Sequence, residues 1–487
     1  MRSLWLGITG GLLGISLAVA EDGPLPEALD ETRTIIVIFQ ENRSYVHLLP
    51  DFPGATGVAE APKSAVLQRD RDGSVLPHLP PLWATNKVAP DSNHVEPPEP
   101  DPAYPRSMPN EPFFIVEPPY NTPPDILTPI PVHRFYQDQM QINGGRNDMF
   151  VAWTNVGALT MGAYHGKGTH LYRLAREYTL ADQAFMGAFG GSNLNHFFLA
   201  CACSPPFPNA PESIRAVLAA DGTLELAKDS PKSALEGPPK WVQDGSVSPD
   251  GHVVNTVQPA YQPSGIPPAP GSDAKLADPT QNPLPPQTMP TLGDRLSEKG
   301  VDWAWYAQGW NVALADRRAI YNNGGAVNFQ PHHHPYNYFV KYAPGTQARG
   351  QHLKDLEEFW DAAASGTLPP VVFVKADGND NEHPGESTNG RRRPVHRHDC
   401  QHPAAQPAMG KDGDHHHLRR ERRLLGSGAA AQGRPLGAGF AGADGDRLAL
   451  RQKEVRRSHY LRLDVDPGFH LQAVRARPAA RHPYPVR

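Results

Sequence analysis

The run Thr34-Ile35-Ile36-Val37-Ile38-Phe39 is rich in β-branched residues and carries no polar alternation. Such a run reads as a strand buried on both faces of a parallel sheet. In open α/β sheets, ligands bind beyond the carboxyl ends of strands of this kind. Here that end continues into Gln40-Glu41-Asn42-Arg43-Ser44. A carboxylate and a carboxamide therefore stand side by side, both hard oxygen ligands suited to a divalent cation. The blander reading is a polar turn exposed to water.

The 487 residues suffice for one large α/β domain with insertions, or for two to three ordinary ones. Met1-Arg2 precedes an apolar stretch that ends in Ala18-Val19-Ala20. This is the form of a secretory signal peptide over residues 1–20, cleaved before Glu21. No second span is long enough for a membrane helix, so the expected product is periplasmic or secreted and free of a stable membrane anchor. The formal net charge of −5 argues against a polyanion-binding surface over the whole protein, and no nucleic-acid partner is expected. Cys201, Cys203 and Cys400 are too few for a disulfide framework, and their spacing is not that of a zinc site. Cys201 and Cys203 are close enough to pair only through a small strained ring, which leaves their state open.

Pro-rich stretches at about 50–131 and 204–287 favour irregular loops. Between and after them the periodicity predicts a helix over Thr169–Tyr178 and a strand over Thr179–Phe185. It then predicts a helix over Thr291–Lys299, a strand over Val301–Tyr306, a helix over His352–Ala364 and a strand over Val371–Ala376. Strands spaced by helices indicate a mainly parallel sheet layered between helices.

Gly190-Gly191-Ser192-Asn193-Leu194-Asn195-His196 is the sharpest local signal. Two glycines allow a tight turn, and Ser192 falls where a helix starts. There, backbone N–H groups and the macrodipole favour both an activated hydroxyl and the phosphoryl oxygens it would attack. The alternative is an ordinary N-cap serine. His133, the triplet His332-His333-His334 and His383 each lie near a predicted strand end or turn, where imidazoles can bind phosphoryl oxygens or protonate a leaving alcohol.

Five segments occur in one order: Gln40-Glu41-Asn42-Arg43-Ser44, His133-Arg134-Phe135-Tyr136, Gly190 to His196, Phe329-Gln330-Pro331-His332-His333, and Asp380-Asn381-Glu382-His383-Pro384-Gly385. Together they resemble the bacterial phosphoesterases that include respiratory-burst-inhibiting acid phosphatases and phospholipases C. The resemblance covers Thr34 to about Thr388. It implies an alkaline-phosphatase-like α/β/α sandwich and a covalent phosphoseryl-type intermediate. It also implies Glu41, Asn42 and Ser192 as ligands of a divalent cation, Ser192 doubling as nucleophile, and His133, His332, His333 and His383 as phosphate-contacting groups. The phospholipase C branch usually carries threonine at the nucleophile, so Ser192 favours the acid phosphatase branch. The expected substrate is a small phosphate ester, or a phospholipid on the alternative reading.

Beyond Thr388 the chain changes character. Residues 391–487 hold 18 Arg against 2 Lys, whereas residues 1–390 hold 15 against 11, and apolar periodicity disappears. A basic arm for polyanions would make the protein a non-catalytic binder, and a disordered tail is a second reading. A third, which we favour, is a GC-rich gene read out of frame. Residues Met409–Ser427 can be back-translated with legal codons beginning ATG GGA AAG GAC GGC GAT. Dropping the first nucleotide yields WERTAIIITYDENGGFWD, a strand followed by an acidic turn. The resemblance places the remaining cation-binding segment there. On this reading the domain over residues 21–389 is incomplete, residues 390–487 are out of frame, and the chain folds poorly and is inactive or nearly so.

Overall fold

The computed structural model describes residues 32–58, 61–84 and 99–387. The signal-peptide reading of residues 1–20 and the reading of residues 390–487 fall outside them. Four parallel strands form the central sheet: β1 (Ile35–Phe39), β2 (Trp303–Ala307), β3 (Leu353–Asp355) and β4 (Val371–Lys375), in the order β1-β4-β2-β3. Ile35 pairs with Val371, which pairs on its other side with Trp303. Two-residue strand pairs, Trp83–Ala84 with Glu99–Pro100 and Phe113–Phe114 with Gly162–Ala163, stand apart from this sheet.

Among the described residues, the helices of six or more residues are α1 (Phe135–Ile142), α2 (His170–Glu177), α3 (Ser192–Cys201), α4 (Leu292–Glu298), α5 (Trp310–Ala315), α6 (Gln347–His352) and α7 (Leu356–Ser365). Strand pleating sorts the core into two layers. Trp303, Trp305, Ala307 and Phe373 face one side and pack with Phe197 and Ala200 of α3. Ala304, Tyr306, Val372 and Val374 face the other and pack with Leu356 and Phe359 of α7. The outcome is a mixed α/β fold with a mainly parallel sheet between helices. Among the described residues no helix is long and apolar enough to cross a membrane.

Three local expectations are corrected. β1 forms where predicted, but it lies at the sheet edge among the described residues, and none of its five residues is buried. The apolar run signals a strand, yet it cannot say whether a neighbour covers each side. Thr179–Phe185 forms no strand; Phe185 is 88% and Met186 56% exposed, so the segment gains no ladder and little burial. The helix predicted over His352–Ala364 starts at Leu356 instead. Asp355 accepts from Glu357 N–H and forms a capping box with Glu358, which releases residues 353–355 to pair with β2. Thr169 and Thr291, by contrast, cap α2 and α4 where the pattern put the helix starts. Cys201 and Cys203 are joined by a disulfide.

Candidate active site

The carboxyl ends of β1 and β4 deliver two buried charges to one point. Glu41 follows β1, Lys375 ends β4, and Lys375 Nζ lies 2.5 Å from Glu41 Oε1. Both side chains are almost fully removed from water. His333, from the turn Pro331–His333, places Nδ1 3.0 Å from the same oxygen. These are close polar contacts rather than well-aligned hydrogen bonds, since none of the three atoms has a hydrogen-bond partner by angle. Burial alone would raise the Glu41 pKa. His333 and Lys375 outweigh it and hold the carboxylate well below its usual range.

On its other side His333 reaches the serine, with Nε2 3.0 Å from Ser192 Oγ. Ser192 is the first residue of α3, with Gly191 at the N-cap, so its hydroxyl does not serve as an ordinary cap. The turn that aims it has no room for side chains. A Cβ on Gly191 would stand 2.9 Å from the His133 carbonyl oxygen and 3.0 Å from its ring, and Gly190 adopts φ +98°. Two side chains brace this turn. Asp138 of α1 accepts from Gly190 N–H, while Asn195 accepts from Ala188 N–H and donates to the Gly190 and Gly191 carbonyls. Burial pushes the Asp138 carboxyl up to about 7.

With Glu41 ionised, the neutral His333 ring carries its proton on Nδ1, toward the carboxylate. Nε2 is then free to accept the Ser192 hydroxyl proton. Burial presses the His333 pKa down to about 3 against the opposing pull of Glu41, so the ring is neutral. His196 stacks on His333 with ring centroids 5.0 Å apart and is anchored through Nδ1 to the Ser192 carbonyl.

His133 and His383 form a second cluster. Each directs Nδ1 at a backbone carbonyl, Pro131 and Pro384 respectively, and their Nε2 atoms face each other at 3.4 Å. Neutral rings held this way present two bare acceptors, so the pair suits a proton-bearing ligand group between them. Burial lowers both pKa values, that of His133 to about 4. His332 lies against His333, ring centroids 4.0 Å apart. Thus Glu41, Ser192 and His333 form one line, His133 and His383 a pair, and His332 a flank to the line.

Asn42 stands apart. It is exposed, adopts φ +57°, and makes no hydrogen bond within the described residues. Glu41 reaches Ser192 only through His333. No grouping of three or more His, Cys, Asp or Glu side chains among the described residues could hold a metal ion. The one carboxylate in the line already carries a lysine. Among the described residues this donor set does not by itself complete a divalent-cation site.

Sequence reasoning passed over Lys375, His196 and Asp138. Lys375 had a usable signal, a lone cation closing the apolar strand Val371-Val372-Phe373-Val374. Asp138 had none, because only the packing of α1 beside the glycine turn gives it a role.

No curated protein matches the chain. The model of the Phosphoesterase family matches residues 32–397, which span all five segments and every residue of the two histidine clusters. The chain belongs to the Phosphoesterase family, and its activity class is hydrolysis of phosphoric esters.

Proposed function

We propose that the chain is an exported phosphomonoesterase of the acid phosphatase type, using Ser192 as nucleophile, with low turnover as its sequence stands. The observation that carries the reading is the line Ser192 Oγ, His333, Glu41: a hydroxyl, a neutral imidazole ready to take its proton, and a buried carboxylate orienting that imidazole. Ser192 Oγ attacks phosphorus in line and passes its proton to His333 Nε2. His332 donates to a phosphoryl oxygen, the His133–His383 pair takes the proton of a monoanionic ester and passes it to the departing alcohol, and His333 returns its own proton to Ser192 Oγ when water cleaves the phosphoserine. Water then cleaves the phosphoserine and releases inorganic phosphate. Export rests on residues 1–20.

One feature supports low turnover. The cation expected from the resemblance needs a second carboxylate, which on the shifted-frame reading belongs to the D-E-N-G-G turn. No step above runs through it.

The test compares p-nitrophenyl phosphate hydrolysis by the chain as it stands with that of a version corrected by one nucleotide between codons 389 and 409. The corrected version is expected to be much the faster, and Ser192→Ala in it to abolish turnover. Robust turnover by the uncorrected chain overturns the low-activity reading; activity surviving Ser192→Ala removes the nucleophile.

A further inference from the structure

Tyr321 lies outside every motif read from the sequence. It adopts φ +52°, a left-handed conformation that a bulky side chain holds only when its surroundings impose it. Its hydroxyl lies 2.7 Å from His332 Nδ1 and 2.7 Å from Gln258 Nε2. Gln258 comes from the second Pro-rich stretch, far from His332 in sequence.

The protons in this chain of contacts can be assigned one after another. The backbone N–H of Gly265 can only donate, and it bonds Gln258 Oε1 at 2.8 Å. That fixes the amide, so Gln258 presents its NH₂ to the tyrosine. The Tyr321 oxygen therefore accepts from Gln258, and its single proton is left for His332 Nδ1. Burial presses the His332 pKa well below its usual value, so the ring is neutral. A neutral ring that accepts at Nδ1 carries its own proton at Nε2. Gly265 keeps the assembly compact: a Cβ there would fall 2.7 Å from Gln258 Oε1 and 3.1 Å from the Tyr321 ring.

We infer that Gly265, Gln258 and Tyr321 form a positioning relay that locks His332 as an Nε2–H donor toward a phosphoryl oxygen of the substrate. The relay is a second tautomer device beside the His333–Glu41 contact, of opposite sense: His333 is held to accept, His332 to donate. Its functional half rests on the proposal that His332 faces the phosphoryl group. The Pro-rich stretch thereby sets the proton on a ring at the site without touching the substrate itself.

The test uses the full chain labelled with ¹⁵N-histidine, with the His332 signals identified by their loss in His332→Gln. Long-range ¹H–¹⁵N correlation at neutral pH is expected to show a bare Nδ1 and a protonated Nε2. Gln258→Glu keeps an acceptor for Gly265 N–H but offers the tyrosine a second acceptor in place of the amide donor. The hydroxyl then donates to the new carboxylate, must accept from His332, and the tautomer inverts. Inorganic phosphate binding, followed by ³¹P NMR, is expected to weaken roughly tenfold, the loss of one charge-assisted hydrogen bond. Tyr321→Phe is expected to give a mixed tautomer and an intermediate loss. A tautomer unchanged in Gln258→Glu overturns the relay. Inversion with unchanged phosphate binding leaves the relay standing and removes His332 from the phosphate site.

Discussion

Replacing Lys375 with methionine tests the electrostatic centre of the site. The two side chains have nearly equal length, so the change removes a charge and little packing. At 2.5 Å the pair attracts by about 7 kcal/mol at an effective dielectric of 20. Desolvation of both ions offsets part of this, and removing one partner of a buried pair costs about 3–5 kcal/mol. The loss should depend on pH. In the native chain Glu41 has a depressed pKa, so its contribution is present above the usual 4.5 and fades as pH falls through the folded value. In Lys375→Met burial is no longer answered by a neighbouring ammonium, and the Glu41 pKa rises. The variant's deficit is then largest at neutral pH and shrinks in acid, where Glu41 takes a proton. Urea melts followed by the fluorescence of Trp303 and Trp305, both fully buried in the adjoining core, measure it. A deficit below about 1 kcal/mol at pH 7.5, or one equal at pH 7.5 and pH 5, would refute the reasoning, since a surface-like pair is worth that little.

Asp138→Asn keeps an oxygen for Gly190 N–H and removes a carboxylate whose pKa is raised to about 7. A raised acid binds protons more tightly in the folded state, so the native chain loses stability as pH climbs from about 4 toward 7. The variant should therefore gain in urea midpoint over the native chain at pH 8 relative to pH 5; an equal difference at both pH values counts against the assignment. Gly191→Ala drives a Cβ against the His133 carbonyl and ring, which should cost about 1–3 kcal/mol by overpacking and lower turnover in a frame-corrected chain. Melting and p-nitrophenyl phosphate assays read the two effects, and a variant with native values in both would show that the turn has slack.

The legible part of the fold was its strands and caps. Val371–Lys375 and Trp303–Ala307 form almost where the apolar runs lie, because a strand buried between helix layers needs little besides apolar side chains. Thr169 and Thr291 marked their helices because a cap is a local hydrogen bond, readable over three residues. At the site, the serine and histidines stood in short segments dense with chemistry. What brings them together did not. The His333 bridge spans 141 residues to Ser192, and the Gln258–Tyr321 contact spans 63. Such pairings are set by which loops meet above the sheet, and no local pattern encodes that.

Strand reasoning erred twice, on the burial of β1 and on a strand over Thr179–Phe185. β1 carries Ile35, Ile36, Val37, Ile38 and Phe39 along an edge, with Ile35 56% exposed. Edge strands are ordinarily blunted by charge, proline or a bulge, and β1 has none of these within its five residues. Thr179–Phe185 has strand composition but no strand partner among the described residues, and it ends in the exposed Phe185, with the exposed Met186 next. A sheet that continued past β1 would account for that edge. The shifted reading of codons 409–427 supplies an apolar run, Ala-Ile-Ile-Ile-Thr-Tyr, with an acidic turn directly behind it. On the shifted-frame proposal, one lost frame would account for both the Arg-rich composition and the uncovered edge. A basic arm or a disordered tail accounts only for the composition.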